Sequence, residues 1–212
     1  MQRFDHPIFL QSVRFINEQL GCTGLEALEQ QVLERLIHSS GDFSIQSFLR
    51  FSPQACEKGI LALLEGASII TDTAMAAEAI KPMARRTLNT SVRSCLDWAP
   101  IDVEFNSTRT ALGILKFWEE VQKNLNHRVA PIVVIGSAPT ALEALLEVIG
   151  EGGVQPSLII GMPVGFIGVD ESKKRLAESH LHQIRLDGSR GGAGLASATI
   201  NALLRAAFMR LH

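Results

Sequence analysis

PIVVIG (131–136) and SLIIGMPVGF (157–166) decide the fold class of this chain. Each begins with a compact apolar run that ends in glycine, and such runs are typical of buried parallel strands. Between them, SAPTALEALLEVIGEGG (137–153) carries apolar residues at helical spacing and closes on glycines. The order strand, helix, strand predicts a βαβ unit within a parallel sheet.

The same alternation extends to both sides of this unit. Downstream we expect a short polar helix, a strand and a long final helix, in ESKKRLAES (171–179), HQIRL (182–186) and GGAGLASATINALLRAAFMRL (191–211). Upstream we expect two strands, each followed by a helix, in GASIITD (66–72), AMAAEAI (74–80), TLNTSVRSCL (87–96) and STRTALGILKFWEEVQKNL (107–125). Residues 1–60 have mostly helical patterns. The elements predict one α/β domain over residues 1–212, with an open, mostly parallel sheet, helices on both faces and a helical N-terminal region.

Composition and charge restrict the class of protein. The chain has 212 residues, 46 % of them hydrophobic, and a formal net charge of −2, which argues against nucleic acid as a partner. The longest apolar runs are broken by glycine and proline, so we expect no membrane segment. The first residues lack the pattern of a signal peptide, and the cysteines (Cys22, Cys56 and Cys95) are dispersed. Both observations predict a cytoplasmic protein with reduced thiols.

Three loops are expected at the carboxyl edge of the sheet, where open α/β sheets bind ligands. They are residues 136–140, 161–166 and 188–194. The first and third lead into helices, whose free backbone N–H groups can hold an anion. None matches the nucleotide patterns GxGxxG or GxxxxGKS/T, so these loops are either ligand cradles or simple tight turns.

Individual polar residues near these loops have alternative roles. His38 ends a predicted helix before Ser39-Ser40-Gly41, where it is either a partner of the helix dipole or a catalyst. Arg109 begins a helix, so it either faces solvent or is aimed at an anion. Asp72 follows a strand and either caps the next helix or belongs to a site. The charged turn from Glu171 to Lys174 is expected to be solvated.

Taken together, these stretches resemble the precorrin-8X/cobalt-precorrin-8 methylmutase family, from His6-Pro7-Ile8 to the final helix. The specific pieces are RLIHSSGD (35–42), Gly66-Ala67 with Asp72 and Met75, Thr108-Arg109, APTAL (138–142), and GMPVGF (161–166) with Glu171-Ser172-Lys173. The chain departs from the family pattern at Ser137, where asparagine is usual. It departs again at residues 188–194, where the arginine is displaced to Arg190 and Ala193 replaces a serine.

The resemblance implies an isomerase of corrin biosynthesis that moves a methyl group from carbon 11 to carbon 12 of the macrocycle, giving hydrogenobyrinate or cobyrinate. It implies that His38 is the catalytic acid, that no cofactor or protein-bound metal is needed, and that the chain forms a homodimer. The corrinoid substrate would be bound by Ser12, Ser39, Ser40, Asp72, Thr108, Arg109, Ser137, Pro139, Thr140, Gly191 and Gly192.

Two other functions stay open at this point. One is a non-catalytic tetrapyrrole-binding carrier on the same fold, which a turnover assay would distinguish from an enzyme. The other is a nucleotide-dependent enzyme, which the missing phosphate-binding motifs disfavour.

Overall fold

The computed structural model describes residues 4–103, 106–124 and 129–212. The helices are α1 (Pro7–Leu20), α2 (Ala27–Ser40), α3 (Ala55–Leu64), α4 (Ala74–Arg86), α5 (Arg109–Asn124), α6 (Pro139–Gly150), α7 (Val169–Glu178) and α8 (Ala193–Leu211). The strands are β1 (Leu49–Phe51), β2 (Ile69–Thr71), β3 (Val92–Ser94), β4 (Ile132–Ile135), β5 (Leu158–Gly161) and β6 (Gln183–Leu186). Short 3-10 turns lie at Phe43–Ser47 and Cys95–Asp97.

The six strands form one sheet in the order β1-β6-β5-β4-β2-β3. All pairs are parallel except β1 with β6, in which Leu49 lies opposite Leu186. From β2 the chain continues outward to β3, whereas from β4 it continues outward through β5 and β6 on the other side. The strand order therefore reverses between β2 and β4, and such a switch point opens a crevice beyond the carboxyl ends of the strands.

Two apolar clusters cover the two faces of the sheet, because neighbouring residues of each central strand point to opposite sides. On one face Ile132 and Val134 pack with residues of α2, α3, α4 and α8. On the other face Val133 and Ile135 pack with residues of α5, α6 and α7, including the buried Trp118. Both faces are thus covered by helices, which explains why the central strands are apolar without alternation.

The predicted fold class is confirmed: the sheet is mostly parallel, helices cover both faces, and α1, α2 and α3 make the N-terminal region largely helical. The edge strand β1 was not anticipated, because three residues are too few to show an alternating pattern. The helix expected over 107–125 begins at Arg109, and Leu125 lies outside the described residues. None of the helices described is long and apolar enough to cross a membrane.

The charged turn at the start of α7 is not uniformly solvated, contrary to expectation. Glu171 and Lys174 are exposed, but Ser172 and Lys173 are 0 % and 1 % exposed. The prediction was wrong because the fourth and fifth residues of this short helix face the interior, where the side chain of Lys173 reaches the carbonyls of Gly188 and Arg190.

Candidate active site

His38 lies in the last turn of α2, which ends where Gly41 adopts a left-handed conformation (φ 68°) that glycine takes without strain. After a short 3-10 turn the chain enters β1, whose first residue lies opposite the last residue of β6. The end of α2 therefore reaches the carboxyl edge of the sheet, and His38 is exposed there. The position expected from the sequence, at the end of a helix, is confirmed.

Two residues of α1 hold the imidazole ring of His38. The hydroxyl of Ser12 lies 2.8 Å from Nδ1, and the ring of Phe9 meets the imidazole edge-on with 5.1 Å between centroids. When Ser12 donates to Nδ1, the neutral ring carries its proton on Nε2, on the side away from Ser12. Partial burial, and then the charge of Arg35 one helical turn earlier, lower the pKa of His38 below its ordinary value.

The two serines after His38 differ in their surroundings. The hydroxyl of Ser40 donates to the carbonyl of Leu36 over 2.8 Å and accepts from the N–H of Asp42 over 3.1 Å. It therefore completes hydrogen bonds that the end of α2 would otherwise leave open. Ser39 is exposed beside His38. Substrate contacts at both residues stay predictions.

Asp72 directly follows β2 and lies at the switch point between β2 and β4. One of its carboxylate oxygens accepts the N–H groups of Gly136, Ser137 and Ala138 at 3.1, 2.6 and 2.8 Å, and the residue is fully buried. Burial raises the pKa of the Asp72 carboxyl above its ordinary value, whereas these three N–H groups oppose the rise because they favour the ionised form.

This arrangement corrects two expectations and bears on a third. Asp72 does not cap the helix that follows it, because the side chain of Thr73 caps α4. The loop before α6 does not offer these N–H groups to an external anion, because Asp72 already accepts them. The predicted contact between Asp72 and the substrate stays a prediction; in the structure its carboxylate is buried and supports the loop from Ser137 to Thr140.

Thr108 and Arg109 lie beside the same loop. The hydroxyl of Thr108 lies 2.8 Å from that of Thr140, at the start of α6, and also accepts the N–H of Ala111 over 3.2 Å. Arg109 is the first residue of α5 and its side chain is exposed. Thr108, Arg109, Ser137, Pro139 and Thr140 therefore form one group at the starts of α5 and α6.

The late loop, residues 187–192, is tied to the other loops through its backbone. The N–H of Gly192 donates to the carbonyl of Met162 over 2.9 Å, and the N–H of Gly165 donates to the carbonyl of Ser189 over 3.1 Å. Only glycine fits at position 191, because a Cβ there would lie 2.0 Å from the carbonyl oxygen of Met162. Gly191 and Gly192 thus lie at the carboxyl edge, as predicted.

Arg190 links the late loop to the helix that carries His38. Its guanidinium donates to the carboxylate of Asp42 and to the hydroxyl of Ser44, and it lies over the ring of Phe48 with 4.9 Å to the centroid. The displaced arginine of this chain therefore holds the segment after α2. The backbone N–H and the hydroxyl of Ser44 both donate to the carboxylate of Asp42. These two hydrogen bonds are the main reason that the pKa of the Asp42 carboxyl lies below its ordinary value.

Lys173 is a residue that the sequence reasoning missed. From α7 its Nζ donates to the carbonyls of Gly188 and Arg190 over 2.7 and 2.6 Å. Burial lowers the pKa of Lys173 to about 8. The only signal in the sequence was its place in the Glu171-Ser172-Lys173 motif of the resemblance.

The predicted residues thus form three neighbouring groups along one edge of the sheet: Ser12 with the end of α2, the late loop, and the starts of α5 and α6. Arg190 joins the first two, and the hydrogen bond from Val164 N–H to the Gly136 carbonyl (3.3 Å) joins the loops after β4 and β5. In the described ranges, no three His, Cys, Asp or Glu side chains lie together as metal ligands would.

A groove of about 620 Å³ lies elsewhere, near the amino ends of β2, β3 and β4. Its walls include Trp98, over which Arg93 stacks at 3.9 Å, and Phe117. It also borders Asn124 and Val129, between which the chain is outside the described residues. We assign the site to the carboxyl edge instead, because His38 and the linked loops lie there.

Comparison with known proteins bears on this site. The family model described as precorrin-8X methylmutase matches residues 7–206. Cobalt-precorrin-8 methylmutase of Synechocystis sp. is 36 % identical over 218 residues, covering 96 % of this chain and 97 % of that protein. Precorrin-8X methylmutase of Pseudomonas aeruginosa is 37 % identical over 207 residues, covering 95 % of each. The crystal structure of precorrin-8X methyl mutase from Thermus thermophilus superimposes with a TM-score of 0.83 at 34 % identity, covering 95 % of this chain and 98 % of that one.

The fold and the site define a doubly wound α/β protein. At the carboxyl edge of its sheet lie three loops that are linked by hydrogen bonds, and a histidine that contacts a serine. The chain belongs to the precorrin-8X methylmutase family. It is accordingly a methylmutase, an isomerase of cobalamin biosynthesis.

Proposed function

We propose that this chain moves a methyl group from carbon 11 to carbon 12 of precorrin-8X or its cobalt form, with His38 as the general acid. The observation that carries the proposal is the position of His38 at the ligand-binding edge of the sheet, 2.8 Å from Ser12, in a member of this family. The rearrangement occurs within one molecule, so the chemistry asks the protein for a shaped pocket and a proton rather than a cosubstrate.

The environment of His38 suits a proton donor that acts only when substrate is bound. In the free chain, burial and Arg35 lower the pKa of His38, so the ring is largely neutral near pH 7. A polycarboxylate substrate brings negative charge to the ring, which favours the imidazolium form. Ser12 then accepts from Nδ1–H, and Nε2–H faces the opposite side as the proton to be given to the macrocycle.

The loops offer two kinds of surface to a flat ring with carboxylates on its rim. Arg109 and the start of α8, beyond the cap residue Gly192, suit the carboxylates, because guanidinium and backbone N–H groups bind anions. Phe166 and Ile167, 90 % and 89 % exposed in the loop after β5, suit the apolar face of the ring. We expect further contacts at Ser137, Pro139, Thr140 and Gly191.

Ligand binding can be tested by thermal unfolding with hydrogenobyrinic acid, the proposed product. At a concentration one hundred times Kd, a ligand that binds only the native state stabilises it by about 2.7 kcal/mol. For a domain of this size we expect a rise in Tm of about 5–10 °C. The absence of a shift at saturating ligand would contradict the site assignment.

Arg109 provides a sharper test of the rim contacts. Replacing Arg109 by alanine is expected to weaken product binding by about 2–4 kcal/mol, because a buried carboxylate would lose its charged partner. Folding should be nearly unaffected, since the side chain is exposed in the free chain. Arg210→Ala, which removes a surface ion pair with Glu57, serves as the control for loss of one positive charge. Equal affinities of the two variants, measured by calorimetry, would make Arg109 an ordinary surface residue.

The non-catalytic tetrapyrrole carrier that the sequence left open would bind ligand without turnover. Anaerobic assay with cobalt-free and cobalt-containing substrate distinguishes carrier from enzyme and also identifies the natural substrate form. The homodimer and the cytoplasmic location expected from the sequence stay predictions.

A further inference from the structure

Lys173 is a buried cation beneath the late loop. It is 1 % exposed, and its Nζ donates to two backbone carbonyls, those of Gly188 and Arg190. In residues 4–103, 106–124 and 129–212, no carboxylate lies within ion-pair distance of this nitrogen. Burying a charge without a counter-ion is costly, and an apolar side chain would fill the same space at lower cost. The lysine must therefore do something for the loop that packing alone cannot.

The two hydrogen bonds determine which way the late loop presents its N–H groups. A trans peptide is planar, so its N–H points opposite to its carbonyl, and the described chain has no cis peptide bond. Because the carbonyls of Gly188 and Arg190 point toward Lys173, the N–H groups of Ser189 and Gly191 point away from it. Neither N–H donates to another described residue. Ser189 is exposed and Gly191 is half-buried, and both lie at the edge that carries the candidate site.

We propose that Lys173 is a positioning residue for substrate binding, which orients these two peptides so that their N–H groups face a carboxylate of the substrate, and which adds positive charge behind them. This inference rests on the proposed function, because it takes the ligand to be the polycarboxylate macrocycle. Lys173 does not touch the substrate and acts only through the loop.

The charged groups around Lys173 are paired with other residues, so its amine can respond to an incoming anion. Asp170, on the same helix, pairs with Lys174 over 2.6 Å, and Asp187, at the end of β6, pairs with Arg50 and Arg185 over 3.0 Å each. Arg190 is paired with Asp42. Burial lowers the pKa of Lys173 to about 8, and Asp187 and Asp170 only partly oppose this. A bound carboxylate stabilises the charged amine and raises its pKa again.

The pH dependence of ligand affinity follows from this shift. Well below pH 8 the amine is charged in both states, and affinity is at its maximum. As the pH rises through the free pKa of about 8 toward the higher pKa of the complex, binding requires proton uptake and affinity falls. Each unit by which the ligand raises the pKa corresponds to about a tenfold loss of affinity at high pH.

The experiment measures the affinity of hydrogenobyrinic acid between pH 7 and pH 9.5 for three proteins: wild type, Lys173→Met and Lys174→Met. Lys174 is a matched control, since it is the next residue, carries the same charge and is 71 % exposed. We expect the affinity of wild type and Lys174→Met to fall about tenfold over this range. We expect Lys173→Met to bind about tenfold more weakly at pH 7, with little further change, and to raise KM far more than it lowers kcat. A Lys173→Met variant with wild-type affinity and pH dependence would overturn the inference.

A second measurement decides the matter if Lys173→Met does not fold. Calorimetric titration of the His38→Ala protein at pH 8.5, in two buffers of different ionisation enthalpy, gives the number of protons taken up on binding without a contribution from the imidazole of His38. Uptake of a substantial fraction of a proton supports the inference. Tight binding without uptake overturns the role of Lys173 and leaves the proposed function standing, whereas a wild type that does not bind the product overturns both.

Discussion

Replacing His38 by alanine is expected to reduce methyl migration by at least about 10²–10⁴-fold, because general acid catalysis is typically worth that much. Product binding should survive, since affinity is expected to come from the rim carboxylates and from apolar contact with the ring. The change in the corrinoid absorption spectrum reports turnover, and thermal unfolding shows whether the variant is folded.

The alternative role of His38, as a partner of the helix end, makes the opposite prediction. In that case its removal would cost about 0.3–2 kcal/mol of unfolding free energy and leave turnover per folded molecule unchanged. His180→Ala, at an exposed histidine outside the site, is the matched control. A folded His38→Ala protein that converts substrate at the normal rate would show that His38 is not the acid.

The lowered pKa of His38 also predicts how kcat/KM and kcat depend on pH. The acid must be protonated, and kcat/KM follows the pKa of the free enzyme, so kcat/KM should fall as the pH rises through the range below about 6.5. The substrate carboxylates raise the pKa in the complex, so kcat should persist to higher pH than kcat/KM. Coincident profiles would mean that the substrate does not stabilise the imidazolium.

The second large effect is expected at Asp72. Its replacement by alanine removes the acceptor of three N–H groups at a fully buried position, which should cost about 3 kcal/mol of unfolding free energy. Asp72→Asn keeps an oxygen in place and loses only the charge, so it should be destabilised less. Both variants should also bind product more weakly, because the loop from Ser137 to Thr140 loses its support. Denaturant unfolding and calorimetry measure the two effects.

Asp97→Ala is the control for loss of a carboxylate. Asp97 pairs with Arg93 at the surface over 3.2 Å, and exposed pairs contribute at most about 1 kcal/mol. If Asp72→Ala were no less stable than Asp97→Ala, the three N–H groups would not depend on the buried carboxylate.

The burial of Asp72 also explains why this fold needs no nucleotide motif. In doubly wound sheets, the N–H groups at the switch point commonly bind the anionic group of a ligand. Here a carboxylate of the chain itself accepts the N–H groups of Gly136, Ser137 and Ala138. We therefore expect a substrate anion to be bound by other groups at this edge, such as Arg109 and the late loop.

The sequence by itself determined the features that depend on local pattern. The apolar runs at 131–136 and 157–166 predicted β4 and β5, because a strand buried on both faces has no polar positions. Gly41, directly after Ser40, placed His38 at the end of a helix. The apolar residues at helical spacing after Thr108 placed Arg109 at the start of a helix. Such signals extend over one or two turns of chain, which is the distance over which backbone propensity acts.

Only the tertiary structure decided what the polar side chains contact. Ser12 meets His38 across 26 residues, Asp72 meets the loop before α6 across 64 to 66, and Arg190 meets Asp42 across 148. Lys173 belongs to a charged turn that predicts a solvated surface, yet the late loop covers it. A hydrogen bond depends on the position of its partner in space and leaves no period in the sequence, so the supports of the site became visible only once the sheet had brought its loops to one edge.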